Sequence, residues 1–206
     1  MSKWIMTGIA VAAVSTIAFA APPAAEPGVA APAPMFRATD MNGKTVDLAQ
    51  YRGKLVVLEW NNPGCPFVKK HYDSGNMQKT QAAAAAQGAV WLTINSGAPG
   101  QQGHMSGAEA QQFVAATKAK PTGYLLDPGG QVGKAYGART TPHLYIIDAE
   151  GRLAYKGGID DKPTTDVADI ATARNHVLAA LGELKAGKKV SVAETRPYGC
   201  SVKYAS

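Results

Sequence analysis

The chain has 206 residues and a formal net charge of +6 at pH 7, with 21 lysine and arginine residues against 15 aspartate and glutamate residues. The basic residues are scattered and are not interleaved with aromatic side chains, so the composition argues against a protein that binds nucleic acid. The length suits one domain of ordinary size that buries an adequate hydrophobic core.

The N-terminus has the pattern of a secretory signal peptide. Lys3 precedes an apolar stretch from Trp4 to Ile17, and Ala18-Phe19-Ala20 provides a small-x-small cleavage site. The apolar stretch is too short to anchor a protein stably in a membrane. We therefore assign residues 1–20 to a signal peptide that is cleaved after Ala20, and we expect an exported, periplasmic protein without a membrane anchor.

The chain after the signal peptide divides into three parts. Residues 21–34 are rich in alanine and proline and cannot bury a core, so we interpret them as an extended or disordered linker. Residues 35–187 form the predicted domain. Residues 188–206 form a C-terminal tail that carries Cys200.

The domain begins with a predicted β-hairpin, residues 36–48, around an Asn-Gly turn. The next strand, Leu55–Trp60, is almost continuously apolar, which indicates that helices cover both of its faces. Strands and helices then alternate, and the last predicted helix is long and amphipathic, from Asp166 to Leu184. This alternation indicates an α/β fold with a mixed central β-sheet flanked by helices.

The junction after the apolar strand is the most informative stretch of the sequence. Asn61-Asn62-Pro63-Gly64 has the composition of a tight turn, and Cys65-Pro66 opens a helix. Free N–H groups and the helix dipole at a helix start stabilise a thiolate relative to a thiol. The pattern predicts a reactive cysteine, and the alternative is an inert thiol in the core.

The sequence contains two cysteines, Cys65 and Cys200. In an exported protein such a pair forms either a structural disulfide or the redox-active pair of an enzyme, and the count alone does not separate the two. The segment around Cys200, Arg196–Tyr204, is polar and contains proline and glycine. This composition favours a mobile segment that swings toward Cys65.

Four stretches carry a resemblance to known proteins: residues 36–54, the strand that runs into Pro63-Gly64-Cys65, the Thr141-Pro142 pair at the start of a strand, and residues 145–151. Together they span most of the predicted domain. They resemble the thioredoxin-fold redoxin superfamily, in particular its peroxiredoxin-like branch, the alkyl hydroperoxide reductase and thiol-specific antioxidant family. The resemblance implies a thioredoxin-like fold and an oxidoreductase that needs no bound cofactor.

The resemblance also implies roles for residues around the cysteine. Cys65 would attack a peroxide to give a sulfenic acid, and Cys200 would resolve it as a disulfide. Arg139 would lie beside the thiol, lower its pKa and polarise a bound oxygen, unless it is simply a solvated loop arginine. Pro142 would be in cis, and the backbone of Thr141 would pair with an incoming disulfide segment as a short added strand.

Further candidates lie just before Cys65 in the sequence. Asn62 stands where peroxiredoxins have a threonine that orients the peroxide, and we expect Asn62, Pro63 and Gly64 to contact the substrate. Glu59 is unusual in so apolar a strand, and is either a proton shuttle with a raised pKa or a carboxylate satisfied by a nearby lysine or N–H group. The four histidines show no ligand spacing, so we predict no metal site.

The leading hypothesis is an exported, peroxiredoxin-like enzyme. Its Cys65–Cys200 disulfide would be reduced by an external dithiol, from a thioredoxin-like protein or a membrane electron-transfer protein. The first alternative is a thiol-disulfide oxidoreductase that acts on protein or small disulfides through the same cysteines. The second is a redox-inert binding module in which Cys65 and Cys200 form a structural disulfide.

Overall fold

A mixed β-sheet forms the centre of the computed structural model, which describes residue 1 and residues 26–205. The strands are β1 (Arg37–Asp40), β2 (Thr45–Asp47), β3 (Val56–Trp60), β4 (Val90–Asn95), β5 (Gly123–Leu126), β6 (Thr140–Thr141), β7 (His143–Ile147), β8 (Leu153–Gly157) and β9 (Cys200–Ser201). Seven of them form the main sheet in the order β2-β1-β5-β4-β3-β7-β8, and β6 pairs with β9 separately. In the main sheet β3, β4 and β5 are parallel and the other pairs are antiparallel.

Helices pack on this sheet. They are α1 (Pro66–Asp73), α2 (Asn76–Ala86), α3 (Gly107–Thr117), α4 (Gln131–Tyr136) and α5 (His176–Lys185). The mixed sheet with flanking helices and the N-terminal hairpin β1–β2 are as the sequence predicts. In the described residues no helix is both long enough and apolar enough to cross a membrane. The predicted signal peptide, apart from residue 1, lies outside the described residues.

The central strand β3 separates two hydrophobic clusters, because successive side chains of a strand point to opposite faces. Leu58 and Trp60 belong to one cluster, and Val57 belongs to the other together with Cys65. All five residues of β3 are buried, which explains its nearly continuous apolar sequence. The strand therefore delivers the turn and Cys65 to one edge of a rigid, fully covered sheet.

The helix predicted from Asp166 to Leu184 is wrong in its first half. Asp166 caps a short 3-10 helix, Val167–Thr172, and α5 begins only after its own N-cap, Asn175. The 3-10 segment buries no side chain, whereas α5 buries Val177, Ala180 and Leu181. Most helical stability comes from packing an apolar face, so only the second half extends as an α-helix.

The described part of the predicted linker is extended but lies on the domain. The N–H of Ala30 donates to the carbonyl of Leu153 (2.8 Å), and the N–H of Ala33 donates to the carbonyl of Gly151 (3.0 Å). β8 is an edge strand with unpaired backbone groups, which an extended segment satisfies. Residues 30–33 therefore behave as part of the fold rather than as a free tether.

The C-terminal tail also differs from the mobile segment that we expected. Its backbone bonds to β8 through Thr195 and Lys156 (3.1 Å), and it forms β9 against β6. Beyond β9, the N–H of Val202 donates to the carbonyl of Arg139 (3.0 Å). The tail is thus docked along one edge of the domain, and Cys200 is already at the site without a swing.

Candidate active site

Cys65 lies at the N-terminus of α1, directly after β3. The side-chain oxygen of Asn62 accepts a hydrogen bond from the N–H of Gly64 (2.9 Å), and the N–H of Cys65 donates to the carbonyl of Asn62 (3.0 Å), so the turn is fixed locally. Pro66 takes the first helical position, where a missing N–H has no cost. The side chain of Cys65 is 0% exposed, because the tail covers the helix end.

Strand β9 of the tail brings the second cysteine to the first. Thr141 is paired with Cys200, whose N–H lies 3.4 Å from the sulfur of Cys65. The Cys65 thiol in turn donates to the carbonyl of Thr141 (3.0 Å), and the peptide bond between Thr141 and Pro142 is cis. The structure therefore brings Cys65, Thr141, Pro142 and Cys200 together, and their chemical roles stay predictions.

The two thiols have opposite shifts of pKa. Burial acts to raise the pKa of Cys65, but hydrogen bonds from the Cys200 thiol, from the N–H groups of Val68 and Cys200, and from Thr141 lower it below its ordinary value. Burial and the hydrogen bond donated to Cys65 raise the pKa of Cys200 to about 11. Cys65 thus ionises first while Cys200 keeps its proton, which favours Cys65 as the nucleophile.

The amide of Asn62 is occupied by the protein itself. Besides its bond to Gly64, it donates through Nδ2 to the side-chain oxygen of Gln102 (2.9 Å). Gln102 belongs to the loop between β4 and α3, and its side chain lies over Gly64. Pro63 is half-buried and Gly64 is exposed in the same turn. Asn62 therefore ties the turn to this loop.

Glu59 is fully buried and lies on the same face of β3 as Val57, which packs in one cluster with Cys65. Its carboxyl accepts hydrogen bonds from the Tyr72 hydroxyl (2.8 Å), the Trp91 indole N–H (2.8 Å) and the Thr93 hydroxyl (3.1 Å). Burial raises its pKa, although these bonds act in the opposite direction. The carboxyl thus has the side-chain donors of a satisfied buried group, and a role in proton transfer stays a prediction.

The side chain of Arg139 does not join the cysteines. Its guanidinium is 66% exposed and lies 3.6 Å from the carboxylate of Glu26, while its backbone carbonyl accepts from Val202 of the tail. The groups that lower the pKa of Cys65 are neutral hydrogen-bond donors. The side chain of Arg139 thus has the surroundings of the solvated loop arginine that was the alternative, and a role beside the thiol stays a prediction.

A polar cluster beside the tail was missed by the sequence reasoning. The hydroxyl of Tyr198 donates to Asp160 (2.5 Å) and lies 3.2 Å from Nε2 of His71, and its ring meets the ring of Phe67 edge to face at 5.8 Å. Tyr198 precedes Cys200 by two residues, and Phe67 and His71 follow Cys65 on α1. The sequence did contain a signal for this cluster, because aromatic and polar residues lie close to both cysteines along the chain.

Comparison with known proteins decides the family. Residues 29–156 match the AhpC/TSA family. The chain belongs to the AhpC/TSA family. The match ends before the tail, so Cys200 and Tyr198 lie outside the part of this AhpC/TSA protein that defines the family.

Individual relatives agree with this assignment. The thiol peroxidases of Mycobacterium bovis and Mycobacterium tuberculosis are 29% identical over 163 residues, which cover 76% of this chain and 89% of theirs. A hypothetical protein, SMc02350, from Sinorhizobium meliloti superposes with a TM-score of 0.73 at 26% identity, over 87% of this chain and 96% of the other.

A third similarity lies in another branch of the fold. A putative thiol:disulfide interchange protein DsbE from Chlorobium tepidum has a TM-score of 0.53 at 24% identity, over 64% of this chain and 85% of the other. At this identity the similarity shows the fold alone. The predicted thioredoxin-like fold is confirmed, and the chain is an oxidoreductase with a thiol-based redox role.

Proposed function

We propose that this protein is an exported, peroxiredoxin-like enzyme in which Cys65 attacks a peroxide and Cys200 resolves the product. The observation that carries the proposal is the position of Cys200, whose N–H lies 3.4 Å from the sulfur of Cys65. The lowered pKa of Cys65 and the raised pKa of Cys200 support the division of labour. The names of the mycobacterial relatives, thiol peroxidases, support the substrate class.

The proposed reaction has three steps. The Cys65 thiolate attacks one peroxide oxygen, the O–O bond breaks, and the leaving oxygen takes a proton to depart as an alcohol or water. The Cys200 sulfur then attacks the sulfenic acid, the S–O bond breaks, and the hydroxyl leaves with the Cys200 proton as water. An external dithiol reduces the disulfide by thiol-disulfide exchange and is itself oxidised.

The docked tail favours a small substrate. In proteins that bind an extended peptide, the peptide adds a strand to a free edge. Here the edge at Thr140–Thr141 is occupied by the protein's own strand, Cys200–Ser201. Cys65 is fully buried beneath it, so a peptide disulfide would have to displace the tail first. A peroxide needs no strand-pairing edge.

The state of Asn62 favours a second candidate, a thiol-disulfide oxidoreductase. In peroxiredoxins the residue at this position orients the peroxide through a hydroxyl. Here both amide atoms are used within the protein, by Gly64 and Gln102. A disulfide substrate needs no such group, because the Cys65 thiolate attacks a sulfur directly. If the protein acts on disulfides in this way, the tail must first unpair from Thr141 so that the substrate can reach Cys65.

Stopped-flow mixing of the reduced full chain with hydrogen peroxide separates the two candidates. We expect rapid loss of the Cys65 thiol followed by formation of an intramolecular disulfide in the wild type. Cys200→Ser should consume peroxide but stop at the sulfenic acid, and Cys65→Ser should be inert. These two variants are matched controls, because each keeps one cysteine of the pair.

The outcomes assign the function. If the Cys65 thiol is lost no faster than that of free cysteine, the peroxidase function is rejected. The protein is then a thiol-disulfide oxidoreductase, and it should reduce a model disulfide. Loss of thermal stability in both serine variants, with neither activity in the wild type, makes the redox-inert module with a structural disulfide the better description.

Export and the reductant complete the proposal. Export rests on the sequence pattern of residues 1–20, and cleavage after Ala20 would leave Ala21 as the first residue. The second step leaves a disulfide that must be reduced for another turnover, so an external dithiol is required by the electron balance. We propose a thioredoxin-like or membrane electron-transfer protein as its source.

A further inference from the structure

The tail is held just upstream of Cys200 by one side chain. The backbone of the tail is attached at Thr195, at Cys200 through its pairing with Thr141, and at Val202 beyond it. Between Thr195 and Cys200, within the described residues, the hydrogen bonds from the tail to the domain are those of the Tyr198 hydroxyl. The upstream side of Cys200 therefore depends on Tyr198 for its position.

The Tyr198 hydroxyl both donates and accepts. It donates to a carboxylate oxygen of Asp160 (2.5 Å), and charge-assisted bonds of this kind are stronger than neutral ones. The amide of Asn76 donates to Nδ1 of His71 (2.8 Å), so the ring proton lies on Nε2 and is donated to the Tyr198 oxygen. Burial lowers the pKa of His71 to about 4, which keeps the ring neutral.

Helix α1 links this anchor to the nucleophile. Phe67 and His71 are four residues apart and lie on one face of the helix, where both contact Tyr198. Cys65 is the N-cap of the same helix. Because one short, rigid element carries both, the anchor fixes where Cys200 stands relative to the Cys65 sulfur.

Asp160 is the buried carboxylate to which the Tyr198 hydroxyl donates. Nε2 of His71 lies 3.9 Å from the second carboxylate oxygen of Asp160, which has no hydrogen-bond partner in the described part of the chain. The Asp160 side chain is only 2% exposed. A buried carboxylate is stabilised by the hydrogen bonds that it accepts, so the bond from Tyr198 favours the docked tail. Removing the Tyr198 bond should therefore increase the open population measurably.

We propose that Tyr198 is the positioning residue of the resolving thiol, because its hydroxyl, held by Asp160 and His71, keeps Cys200 against Cys65. The inference rests on the proposed function, in which the Cys200 sulfur bonds to oxidised Cys65 and water leaves. Tyr198 takes no part in the bond changes. It sets how often the tail lifts and how often Cys65 meets outside reagents in place of Cys200.

The test is Tyr198→Phe in the full chain, which removes the hydroxyl and keeps the ring against Phe67. Alkylation of Cys65 by a bulky maleimide reports opening of the tail, because Cys65 is 0% exposed when the tail is docked. We expect alkylation to be about tenfold faster in the variant. After oxidation by hydrogen peroxide, the fraction of Cys65 trapped by dimedone should rise by a similar factor.

Three variants give the controls. Tyr204→Phe removes a hydroxyl that bonds to the neutral carbonyl of Ala138 (2.7 Å) on the other side of Cys200, and should accelerate alkylation by no more than about threefold. Asp160→Ala removes the Tyr198 acceptor from the domain side and should match Tyr198→Phe. Asp160→Asn keeps an acceptor oxygen but removes the charge, so it should fall between the wild type and Tyr198→Phe.

The maleimide assay uses no oxidant, so it is independent of the peroxidase reaction. Alkylation of Tyr198→Phe at the wild-type rate would overturn the positioning role. Equal acceleration in Tyr204→Phe, or a matching fall in the thermal midpoint, would indicate general loosening and would also overturn it. Faster alkylation in a protein that consumes no peroxide would reject the peroxidase and retain Tyr198 as the anchor.

Discussion

The two cysteines lie in contrasting surroundings. Cys65 caps a helix, is fully buried and has a lowered pKa. Cys200 lies in a two-residue edge strand, is half-buried and has a pKa raised to about 11. One environment comes from the family domain, residues 29–156, and the other comes from a tail beyond that match.

The contrast shows that groups outside α1 help to stabilise the Cys65 thiolate. The Cys200 thiol and N–H both contribute to lowering the pKa of Cys65, beside the local N–H of Val68. A helix N-terminus supplies only part of this stabilisation. The tail thus lowers the pKa of Cys65 before Cys200 attacks the oxidised sulfur. Lowering this pKa and forming the disulfide are separate contributions of the tail, and each can be tested by mutation.

The largest expected effect comes from Gly199→Ala. Gly199 has φ +135°, which favours glycine, and an added Cβ would overlap the carbonyl oxygen of Thr141. The tail could not keep the pairing of Thr141 with Cys200, so disulfide formation after a pulse of peroxide should slow by about a hundredfold. Rapid quenching and non-reducing peptide mapping measure this rate.

A matched glycine provides the control. Gly182 lies in α5, and beyond the helix's own backbone no atom of the described residues comes within 4 Å of an added Cβ, so Gly182→Ala should leave the rate unchanged. The same substitution thus places a methyl group against the Thr141 carbonyl at Gly199 and in open space at Gly182. Disulfide formation at the wild-type rate in Gly199→Ala would show that resolution does not need the docked strand.

Removal of the Cys200 thiol should raise the pKa of Cys65. The hydrogen bond from Cys200 is the foremost of the effects that lower the pKa of Cys65, so Cys200→Ala should raise that pKa toward the ordinary thiol value. The thiolate fraction at neutral pH then falls, and the reaction with peroxide slows in proportion. Ultraviolet titration of the thiolate measures the midpoint.

The reciprocal variant completes this titration. In Cys65→Ala the neighbouring thiolate is gone, so the pKa of Cys200 should fall below about 11, although burial still raises it. An unchanged midpoint for Cys65 in Cys200→Ala would mean that its helix start alone sets the pKa. That result would show that Cys200 does not contribute to the lowered pKa of Cys65.

The Cys65 side of the site could be predicted from the sequence because its signals are local. An apolar strand, a Pro-Gly turn and proline at the first helical position together place the cysteine at a helix start. The resemblance to redoxins added the cis bond before Pro142. The mixed sheet followed from the alternation of strands and helices.

The Cys200 side could not be predicted in the same way. The strand β9 has two residues and pairs with residues about sixty positions earlier, so no periodic pattern marks it. Its docking depends on Gly199 fitting against Thr141 and on Tyr198 reaching Asp160, which are tertiary contacts. A composition of proline, glycine and polar residues indicates mobility only when such contacts are absent.

The smallest expected effect tests the residue on which sequence and structure differ most. The guanidinium of Arg139 is 66% exposed and pairs with Glu26, so Arg139→Ala should change the rate of the reaction of Cys65 with peroxide by less than about twofold. Arg37→Ala is the reference, since that side chain is 77% exposed and pairs with Asp47 in the hairpin. Stopped-flow rates of the two variants should agree. A tenfold loss in Arg139→Ala alone would mean that the guanidinium leaves Glu26 and reaches the sulfur during the reaction, as the resemblance to redoxins implies.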